Sequence, residues 1–469
     1  MVRVHAFGDD ALGDLDAVGL VEHLAAGKVS VPEVVDAAIA RCEAVNPRLN
    51  GLAHDAYTRA RREARDPRGG YFSGVPTFVK DNVDVAGMPT QEGCDAFVSP
   101  PRPRDGDFFR MYGATGLLPI GKSQLSEFGF SAVAEHPRLG AVRNPWDPDR
   151  TAGASSAGSA AFVAAGVVPI AHANDGGGSI RIPAAACGLV GLKPTRDRFA
   201  QDRALRDMPV RIVSDGVVTR SVRDTAAFLR EAERVYRNLK LPPVGDITRP
   251  GTKRLRVALV TTSVGTAATP EVRAATLETG RLLEELGHHV TELDTPPVPA
   301  SFKDDFLLYW GFLSTFLVGS GPLRHRGSWD ATRLDNLSRG LARYAARRAH
   351  RLPAATARLA ASGRVSARLF RDHDVVLTPT LAAPTPLVGH LDPMQDYETV
   401  IERLMAWVAF TPLQNATGEP AVSLPLATDP AGMPLGMMFG AARGQEATLL
   451  ELAYELEEAR GGWASPAGA

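Results

Sequence analysis

The spacing of apolar residues predicts the first clear helix directly after Ser30. Ser30 and Glu33 have the spacing of a capping box, in which two side chains satisfy backbone N–H groups at a helix start. Apolar residues then recur along one helical face, at Val31, Val34, Val35, Ala38, Cys42 and Val45. Because a residue before proline disfavours the α region, Asn46-Pro47 is expected to end this helix. An earlier helix over residues 16–26 is expected nearby.

Short apolar runs further along the chain alternate with helical patterns. The runs predict strands over residues 74–79, 117–120, 167–171, 254–261, 289–293 and 375–378, and a hairpin of residues 421–426 and 435–439. Helical patterns cover residues 159–168, 270–286, 302–317 and 446–459. Strands that alternate with helices predict an α/β fold, with a sheet covered by helices.

Composition is that of an ordinary globular chain. Of 469 residues, 44% are hydrophobic and 22% are charged, so a sizeable core is available. We find no internal repeat and no low-complexity linker. We therefore expect a single domain over residues 1–469, with a core over roughly residues 30–460 and a helical segment, residues 1–50, packed on it.

The net charge and the cysteine content limit which binding partners and which cellular compartment we expect. The formal net charge is −1, which gives no overall attraction to nucleic acid. Three cysteines, an odd and sparse set, fit a reducing compartment. Residues 1–10 lack a signal-peptide core, and the most apolar run, residues 160–170, is shorter than a membrane span. We expect a cytoplasmic protein without stable membrane insertion.

Two serine-containing segments carry the candidate chemistry. In Asp175-Gly-Gly-Gly-Ser179, successive glycine N–H groups can converge on one point and form an oxyanion hole beside Ser179. A flexible turn is the alternative. For the segment Thr151–Ser159, the alternative to a catalytic role is a loop before a helix, with Ser155 or Ser156 as the N-cap. It lacks the Gly-Lys-Ser/Thr ending of a phosphate-binding loop and is not a G-x-S-x-G elbow.

A lysine follows an apolar strand far upstream. Lys80 comes directly after Val75-Pro-Thr-Phe-Val79. Burial there would disfavour the charged form and lower the pKa of Lys80, as a lysine base requires. The alternative is an ion pair with Asp81 or Asp84.

Taken together, the segments resemble the amidase signature family of serine hydrolases, and most closely its mycobacterial members. The resemblance covers nearly the whole chain, in the family's order. It runs through residues 74–82, 121–129, 153–159, 175–183, 187–195 and 415–425. It implies a mixed central β-sheet covered by helices on both faces, with no metal and no cofactor.

The resemblance also implies the site residues. Ser179 would be the nucleophile, Ser155 a proton relay that follows a cis peptide, and Lys80 the neutral base. The N–H groups of Ser179 and the three glycines would form the oxyanion hole, at Gly176, Gly177 and Gly178. Supporting residues would be Ser156, Asp175 and Arg181. Alanines replace two of the family's usual glycines, at 154 and 157.

The implied reaction is hydrolysis of a small linear carboxylic amide to an acid and an amine or ammonia, through an acyl-enzyme. One alternative is the glutaminase-type subunit of a tRNA-dependent amidotransferase. That subunit carries an acid just before a segment like Phe410-Thr-Pro412, and residues 405–412 contain none. Another chemical alternative is a Ser-His-Asp triad built on His172, with His136 and His325 unplaced.

A third alternative is a membrane-associated binding protein that retains the fold. Residues 324–371 contain twelve arginines, and Arg339, Arg343, Arg347 and Arg351 recur at near-helical spacing. More often such a stripe is a solvated face, or one that pairs with carboxylates elsewhere.

An aromatic run precedes the arginine-rich region. Phe306, Tyr309, Trp310 and Phe312 are expected either to line an apolar acyl pocket or to form helix core. The oligomeric state stays open, with a homodimer as one assembly to test.

Overall fold

The structure, a computed structural model, describes residues 3–294 and 298–468. Their strands are, in chain order, β1 (Leu52–Asp55), β2 (Pro76–Lys80), β3 (Leu118–Ser123), β4 (Glu135–His136), β5 (Gly140–Ala141), β6 (Ile170–Asp175), β7 (Val190–Lys193), β8 (Ser214–Thr219), β9 (Arg256–Leu259), β10 (Thr262–Ser263), β11 (Thr266–Ala267), β12 (His289–Glu292), β13 (Val375–Pro379), β14 (Ala421–Thr428) and β15 (Pro434–Ala441).

Helices connect and cover these strands. They are, in chain order, α1 (Ala17–Ala25), α2 (Val31–Leu49), α3 (Tyr57–Glu63), α4 (Asp107–Ala114), α5 (Ala157–Ala164), α6 (Arg181–Cys187), α7 (Arg203–Arg206), α8 (Val222–Val235), α9 (Pro270–Glu285), α10 (Phe302–Arg324), α11 (Asn336–Arg347), α12 (Leu352–Ser366), α13 (Leu369–Asp372), α14 (Tyr397–Trp407), α15 (Pro412–Thr417) and α16 (Glu446–Arg460). Short 3-10 turns cover Glu127–Gly129, Ala331–Arg333 and Ala349–Arg351.

The central sheet has eight strands in the order β12-β9-β13-β15-β14-β7-β8-β6. Strand β9 pairs in parallel with β12 and with β13, whereas the remaining neighbours are antiparallel. Helices α5, α6, α8, α9 and α16 pack against its strands. The mixed sheet flanked by helices confirms the predicted α/β fold class.

A smaller sheet, in the order β1-β3-β2, brings the lysine to the central sheet. Strand β2 ends at Lys80 and lies beside β6, the edge strand of the central sheet. The Thr77 hydroxyl donates to the carbonyl of Ile170 at 2.9 Å, and the Lys80 N–H donates to His172 Nδ1 at 3.2 Å. These contacts fix β2 against β6 and align Lys80 with the end of β6.

Element types were predicted better than element ends. The capping box of α2 is present, but the helix continues through Pro47 to Leu49. A proline in the last turn removes one N–H without blocking the preceding turns, and Asn50 then ends the helix with φ 54°. Helix α5 ends at Ala164, before Gly166 with φ +76°, rather than at residue 168. Helix α10 runs to Arg324, seven residues beyond the predicted end.

The N-terminal helices contact the rest of the described chain through polar and apolar groups. The Asp224 carboxylate accepts from the N–H groups of Ala17 and Val18, at 2.8 and 2.9 Å. Helix α2 packs against α3, α5 and both parallel strands of the small sheet. The single-domain organisation over residues 1–469 stays a prediction.

One helix of the described residues is long and apolar enough, by length and composition, to cross a membrane. It is α10, and a third of its most apolar window is buried inside the structure.

Candidate active site

Lys80 lies at the centre of the candidate site with its side chain fully buried. Its Nζ is 2.7 Å from Ser155 Oγ and 2.7 Å from Asn174 Oδ1. Burial lowers the pKa of Lys80 from 10.5 to about 7, although the charges of Asp215 and Asp175 oppose that shift. A large share of this amine is therefore neutral near pH 7 and can accept a proton.

The ion-pair alternative for Lys80 is wrong. Asp81 pairs with Lys122 at 3.0 Å, and both side chains are buried. Asp84 pairs with Arg102 at 2.8 Å. Lys80 has no carboxylate within ion-pair distance among residues 3–294 and 298–468, so the buried amine contacts uncharged groups.

Ser155 follows Ala154 through a cis peptide bond and is buried. Ala154 and Ala157 are not among the non-glycine residues with positive φ, and Gly153 adopts φ +70° instead. The two alanines that replace glycines are therefore compatible with this backbone. Ser156 occupies the N-cap position of α5 but makes no capping hydrogen bond, and its hydroxyl donates to the Asn174 carbonyl at 3.3 Å.

Ser179 stands between β6 and α6, 7% exposed, at the wall of an apolar pocket. Among the residues that the structure describes, its side chain has no hydrogen-bond partner, and it is not hydrogen-bonded to Ser155. The two serines nevertheless approach the same place. Gly129 and Ala154 line the pocket with Ser179, and a Cβ added at Gly129 would lie 3.2 Å from Ser155 Oγ. The structure thus joins Lys80 to Ser155 directly and places Ser179 in the wall of a pocket that two neighbours of Ser155, Gly129 and Ala154, also line.

The glycine segment offers N–H groups beside Ser179. No acceptor within residues 3–294 or 298–468 is bonded to the N–H of Gly176, Gly177 or Ser179. Gly178 differs, because its N–H donates to Asp175 Oδ1 at 2.7 Å. The expectation that Gly178 faces the substrate therefore does not fit this conformation, since its N–H is already occupied.

Asp175 and Arg181 form a fully buried pair that braces this segment. Arg181 Nε and Nη2 donate to the two carboxylate oxygens at 2.8 and 2.9 Å, and Arg181 also donates to Gln414 and Asn415. Burial alone would raise the pKa of Asp175, but the Arg181 charge and hydrogen bonds outweigh it and hold the pKa at about 2. Asp175 therefore stays ionised and anchors the turn that carries Ser179.

The pocket beside Ser179 is about 490 Å³ including its open mouth. No charged side chain lines it within the described ranges. Its walls include Phe130, Phe306, Trp310, Ile401, Leu404 and Met405. The Trp310 Nε1–H donates to the Phe130 carbonyl at 3.2 Å, so the polar edge of this indole is already paired.

The expectation for the aromatic run is half right. Phe306 and Trp310, four residues apart on α10, line the pocket. Tyr309 and Phe312 do not line this pocket but belong to a neighbouring apolar cluster, where Tyr309 donates to the Val210 carbonyl at 2.8 Å. Residues four apart lie nearly one above the other on a helix, so Phe306 and Trp310 reach the pocket together.

The Ser-His-Asp alternative built on His172 finds no support in this geometry. Both ring nitrogens of buried His172 are engaged, one by the Lys80 N–H and one by Asp215 at 3.3 Å. Burial lowers the pKa of His172, which favours the neutral ring. No group of metal-ligating side chains occurs in the described parts of the chain. Burial also raises the pKa of the Cys94 and Cys187 thiols, so neither is a ready nucleophile.

The arginine stripe lies on α11 and the 3-10 turn after it. None of Arg339, Arg343, Arg347 and Arg351 pairs with a carboxylate in residues 3–294 or 298–468. Arg339 instead donates to Asn336 Oδ1 at 2.8 Å. The positive charges of these four side chains are therefore not neutralised by a paired carboxylate within the described residues.

Sequence reasoning missed two asparagines of the site. Asn174 contacts Lys80, and Asn415 donates from Nδ2 to both the carbonyl and Oδ1 of Asp175, each at 2.8 Å. Only their positions in the sequence could have indicated a role in the site. Asn174 directly precedes Asp175, and Asn415 opens a segment that resembles the family.

Comparisons with known proteins identify the family of this chain. The Amidase family model matches residues 33–450. A Mycobacterium leprae protein named "Putative amidase AmiC" is 63% identical over 460 residues, which covers 98% of each chain. The solved structure of 6-aminohexanoate cyclic dimer hydrolase with substrate has a TM-score of 0.85 at 30% identity, and covers 95% of this chain and 97% of that one.

A bacterial aryl acylamidase described as an amidase signature enzyme has a TM-score of 0.84 at 25% identity, covering 95% of this chain and 96% of that one. The family model, the whole-length relative and these solved structures all indicate the same family. The chain belongs to the amidase signature family of hydrolases, which act on amides.

Proposed function

We propose that this protein hydrolyses linear carboxylic amides to an acid and an amine or ammonia, with Ser179 as nucleophile, Ser155 as relay and Lys80 as base. The supporting observation is the 2.7 Å contact between Lys80 Nζ and Ser155 Oγ, inside a site that lowers the pKa of Lys80 to about 7. A neutral amine can take the Ser155 proton, and Ser155 can then take the proton of Ser179.

The acylation step follows from these positions. Ser179 Oγ attacks the amide carbonyl, its proton passes to Ser155 Oγ, and the Ser155 proton passes to Lys80 Nζ. The carbonyl oxygen gains negative charge next to the N–H groups of Gly176, Gly177 and Ser179. One such donor contributes about 3 kcal/mol in comparable sites. The lysine proton returns through Ser155 to the leaving nitrogen, the C–N bond breaks, and an ester on Ser179 remains.

Deacylation uses the same relay with water in place of Ser179. Lys80 accepts a proton from water through Ser155, the hydroxide oxygen attacks the ester, and Ser179 leaves with the proton returned. The side chain of Ser179 must turn towards Ser155 when substrate binds. Catalytic hydrogen bonds that are open in a ligand-free site commonly close in the substrate complex.

The pocket supports an uncharged, apolar acyl group. Its walls are aromatic and aliphatic, and an ammonium or carboxylate buried there would have no partner. We therefore expect acyl groups that are short and aliphatic or contain one aryl ring. The substrate panel should also include the 6-aminohexanoate cyclic dimer, the cyclic amide that appears in the name of similar proteins. Comparison with this compound tests the preference for linear amides.

The glutaminase-type subunit is the less favoured function. A free amino-acid amide carries both an ammonium and a carboxylate, and the described pocket wall pairs neither. The protein purified alone should hydrolyse simple amides, and a requirement for partner subunits or for glutamine would favour this alternative.

The membrane-associated alternative has its own test. The arginines of α11 are available for anionic lipid, but the candidate site needs no lipid surface. Sedimentation with vesicles of anionic phospholipid at physiological salt should leave the protein in solution, in keeping with the proposed cytoplasmic location. Binding that Arg343→Glu and Arg347→Glu abolish would favour the alternative.

The direct test of the proposed function is hydrolysis of a panel of aliphatic and aryl anilides. We expect turnover by the wild-type protein and none by Ser179→Ala, with both proteins equally folded by circular dichroism. Full activity in Ser179→Ala would contradict the proposal.

A further inference from the structure

Asn174 is the second close contact of the buried lysine. Its Oδ1 lies 2.7 Å from Lys80 Nζ, the same distance as Ser155 Oγ, and its main-chain carbonyl lies 3.4 Å from Nζ. Asn174 is the next-to-last residue of β6, directly before Asp175, and 6% of it is exposed. One residue therefore places two oxygen acceptors around the lysine amine.

A second asparagine pairs with this amide. Asn174 Nδ2 donates to Asn82 Oδ1 at 3.1 Å, and Asn82 Nδ2 reaches Asn174 Oδ1 at 3.3 Å. Asn174 therefore has its donor side turned to Asn82 and its acceptor side turned to Lys80. A rotation that exchanged the two sides would bring two donors against the amine and lose both contacts.

The numbers of donors and acceptors on the Lys80 amine determine which neighbour meets its lone pair. A neutral primary amine has two N–H donors and one lone pair. If the two oxygens of Asn174 accept the two N–H groups, the lone pair is left for the third neighbour, which is the Ser155 hydroxyl. We propose that Asn174 is the positioning residue of the catalytic base: it holds the Lys80 amine with its lone pair on Ser155. This inference rests on the proposed function.

The chemistry of the side chain matters as much as its place. An amide oxygen accepts from the amine without adding a negative charge, whereas a carboxylate at 2.7 Å would stabilise the ammonium form. The charged groups already near Lys80 are Asp215 on β8 and Asp175 at the end of β6, and both favour its protonation. Burial lowers the pKa of the neighbouring His172 and so favours its neutral ring. That ring contacts the backbone N–H of Lys80 rather than Nζ. An additional carboxylate would therefore act in the same direction as the existing two.

Two variants separate charge from geometry. Asn174→Asp keeps the shape and adds the charge, and the acid limb of kcat/KM should move up by about one pH unit or more, as expected for a carboxylate beside an amine. Asn174→Leu removes both the acceptor and the donor, and kcat should fall about tenfold or more while KM changes little, since a hydrogen bond to the reacting group is lost. Asn238→Asp, a partly exposed asparagine outside the site, should match the wild type in both parameters.

The outcomes distinguish this inference from the function on which it rests. Amide hydrolysis by the wild type, lost in Ser179→Ala, establishes the parent activity. If that activity is present but Asn174→Asp leaves the acid limb in place, or Asn174→Leu keeps the wild-type kcat, the positioning role is overturned alone. If Ser179→Ala stays active, both proposals fail together. Should Asn174→Asp not fold, as judged by thermal melting, the kcat and pH profile of Asn174→Leu decide.

Discussion

Lys80 Nζ lies 2.7 Å from Ser155 Oγ, and both side chains are buried. A protonated lysine in that place would be an unpaired cation without a carboxylate in contact. Because burial destabilises the charged form, the site favours the neutral amine, which is the form that the proposed reaction needs to accept a proton.

The pH dependence of activity follows from this relationship. The base must be unprotonated, so kcat/KM should be low below pH 6, rise through about pH 7 and level off above, in step with the pKa of Lys80. The measurement is kcat/KM for an uncharged anilide between pH 5 and 9. Burial also lowers the pKa of Lys193 to about 7, so Lys193→Met is the matched control. In Lys193→Met, kcat/KM should still rise through about pH 7. If the midpoint of that rise moves in this variant, Lys193 rather than Lys80 controls it.

The pH dependence of the unfolding free energy gives an independent test of the pKa of Lys80. Between pH 7 and 10.5 the unfolded chain holds a proton on Lys80 that the folded chain has released, so raising the pH favours folding. Relative to Lys80→Met, the wild type should gain up to about 1.4 kcal/mol of unfolding free energy per pH unit within that window, and nothing below it. Urea unfolding of both proteins at pH 6 and pH 9 measures the gain. Parallel stabilities at the two pH values would mean that Lys80 keeps an ordinary pKa in the folded protein.

The buried Asp175–Arg181 pair should be a structural requirement. Arg181→Met leaves the Asp175 carboxylate buried without its main partner, a change that costs about 3–5 kcal/mol in comparable pairs. We expect a large drop in unfolding free energy in guanidinium chloride. Arg223→Met serves as the control, because the pair of Arg223 with Asp16 is partly exposed and should cost about 1 kcal/mol or less. Equal losses in the two variants would contradict the bracing role.

The apolar pocket gives a prediction about substrate choice. Trp310→Ala removes a wall beside Ser179, so kcat/KM should shift by about tenfold or more from small acyl groups towards larger apolar ones. Competition between acetyl and longer-chain anilides measures the ratio. Tyr309→Phe is the neighbouring control, because that hydroxyl bonds Val210 away from the pocket, and it should leave the ratio unchanged. If Trp310→Ala lowers stability but leaves the ratio of the two rates as it was, Trp310 is core and not pocket.

The sequence carried the parts of the site that are encoded locally. Lys80, Ser155 and Ser179 each stand in a short segment whose composition restricts what it can do, and their joint order matches a family. The Ser30 capping box and the strand before Lys80 were likewise readable from neighbours in the chain. These features depend on residues within one turn or one strand of each other.

Features that depend on partners distant in the sequence were not predictable. Asn174 acquires its place because β2 of one sheet lies beside β6 of another, and nothing near Asn174 indicates that pairing. The Gly178 N–H is a local exception: the Asp175 carboxylate three residues away accepts from it, but the residue types alone do not show which glycine N–H that carboxylate takes. On α10, the period predicts faces but not which face meets the pocket, so Phe306 was grouped with Tyr309.

The most direct test of the account is the rate at which a serine-directed phosphonate labels the protein, followed by peptide mapping. The account predicts a single adduct on Ser179, a labelling rate that rises through about pH 7, and at least a hundredfold slower labelling in Lys80→Met and Ser155→Ala, since general-base help is typically about 10²–10⁴-fold. An adduct on a different serine, or undiminished labelling of Ser179 in Lys80→Met, would show that the buried amine does not activate this nucleophile.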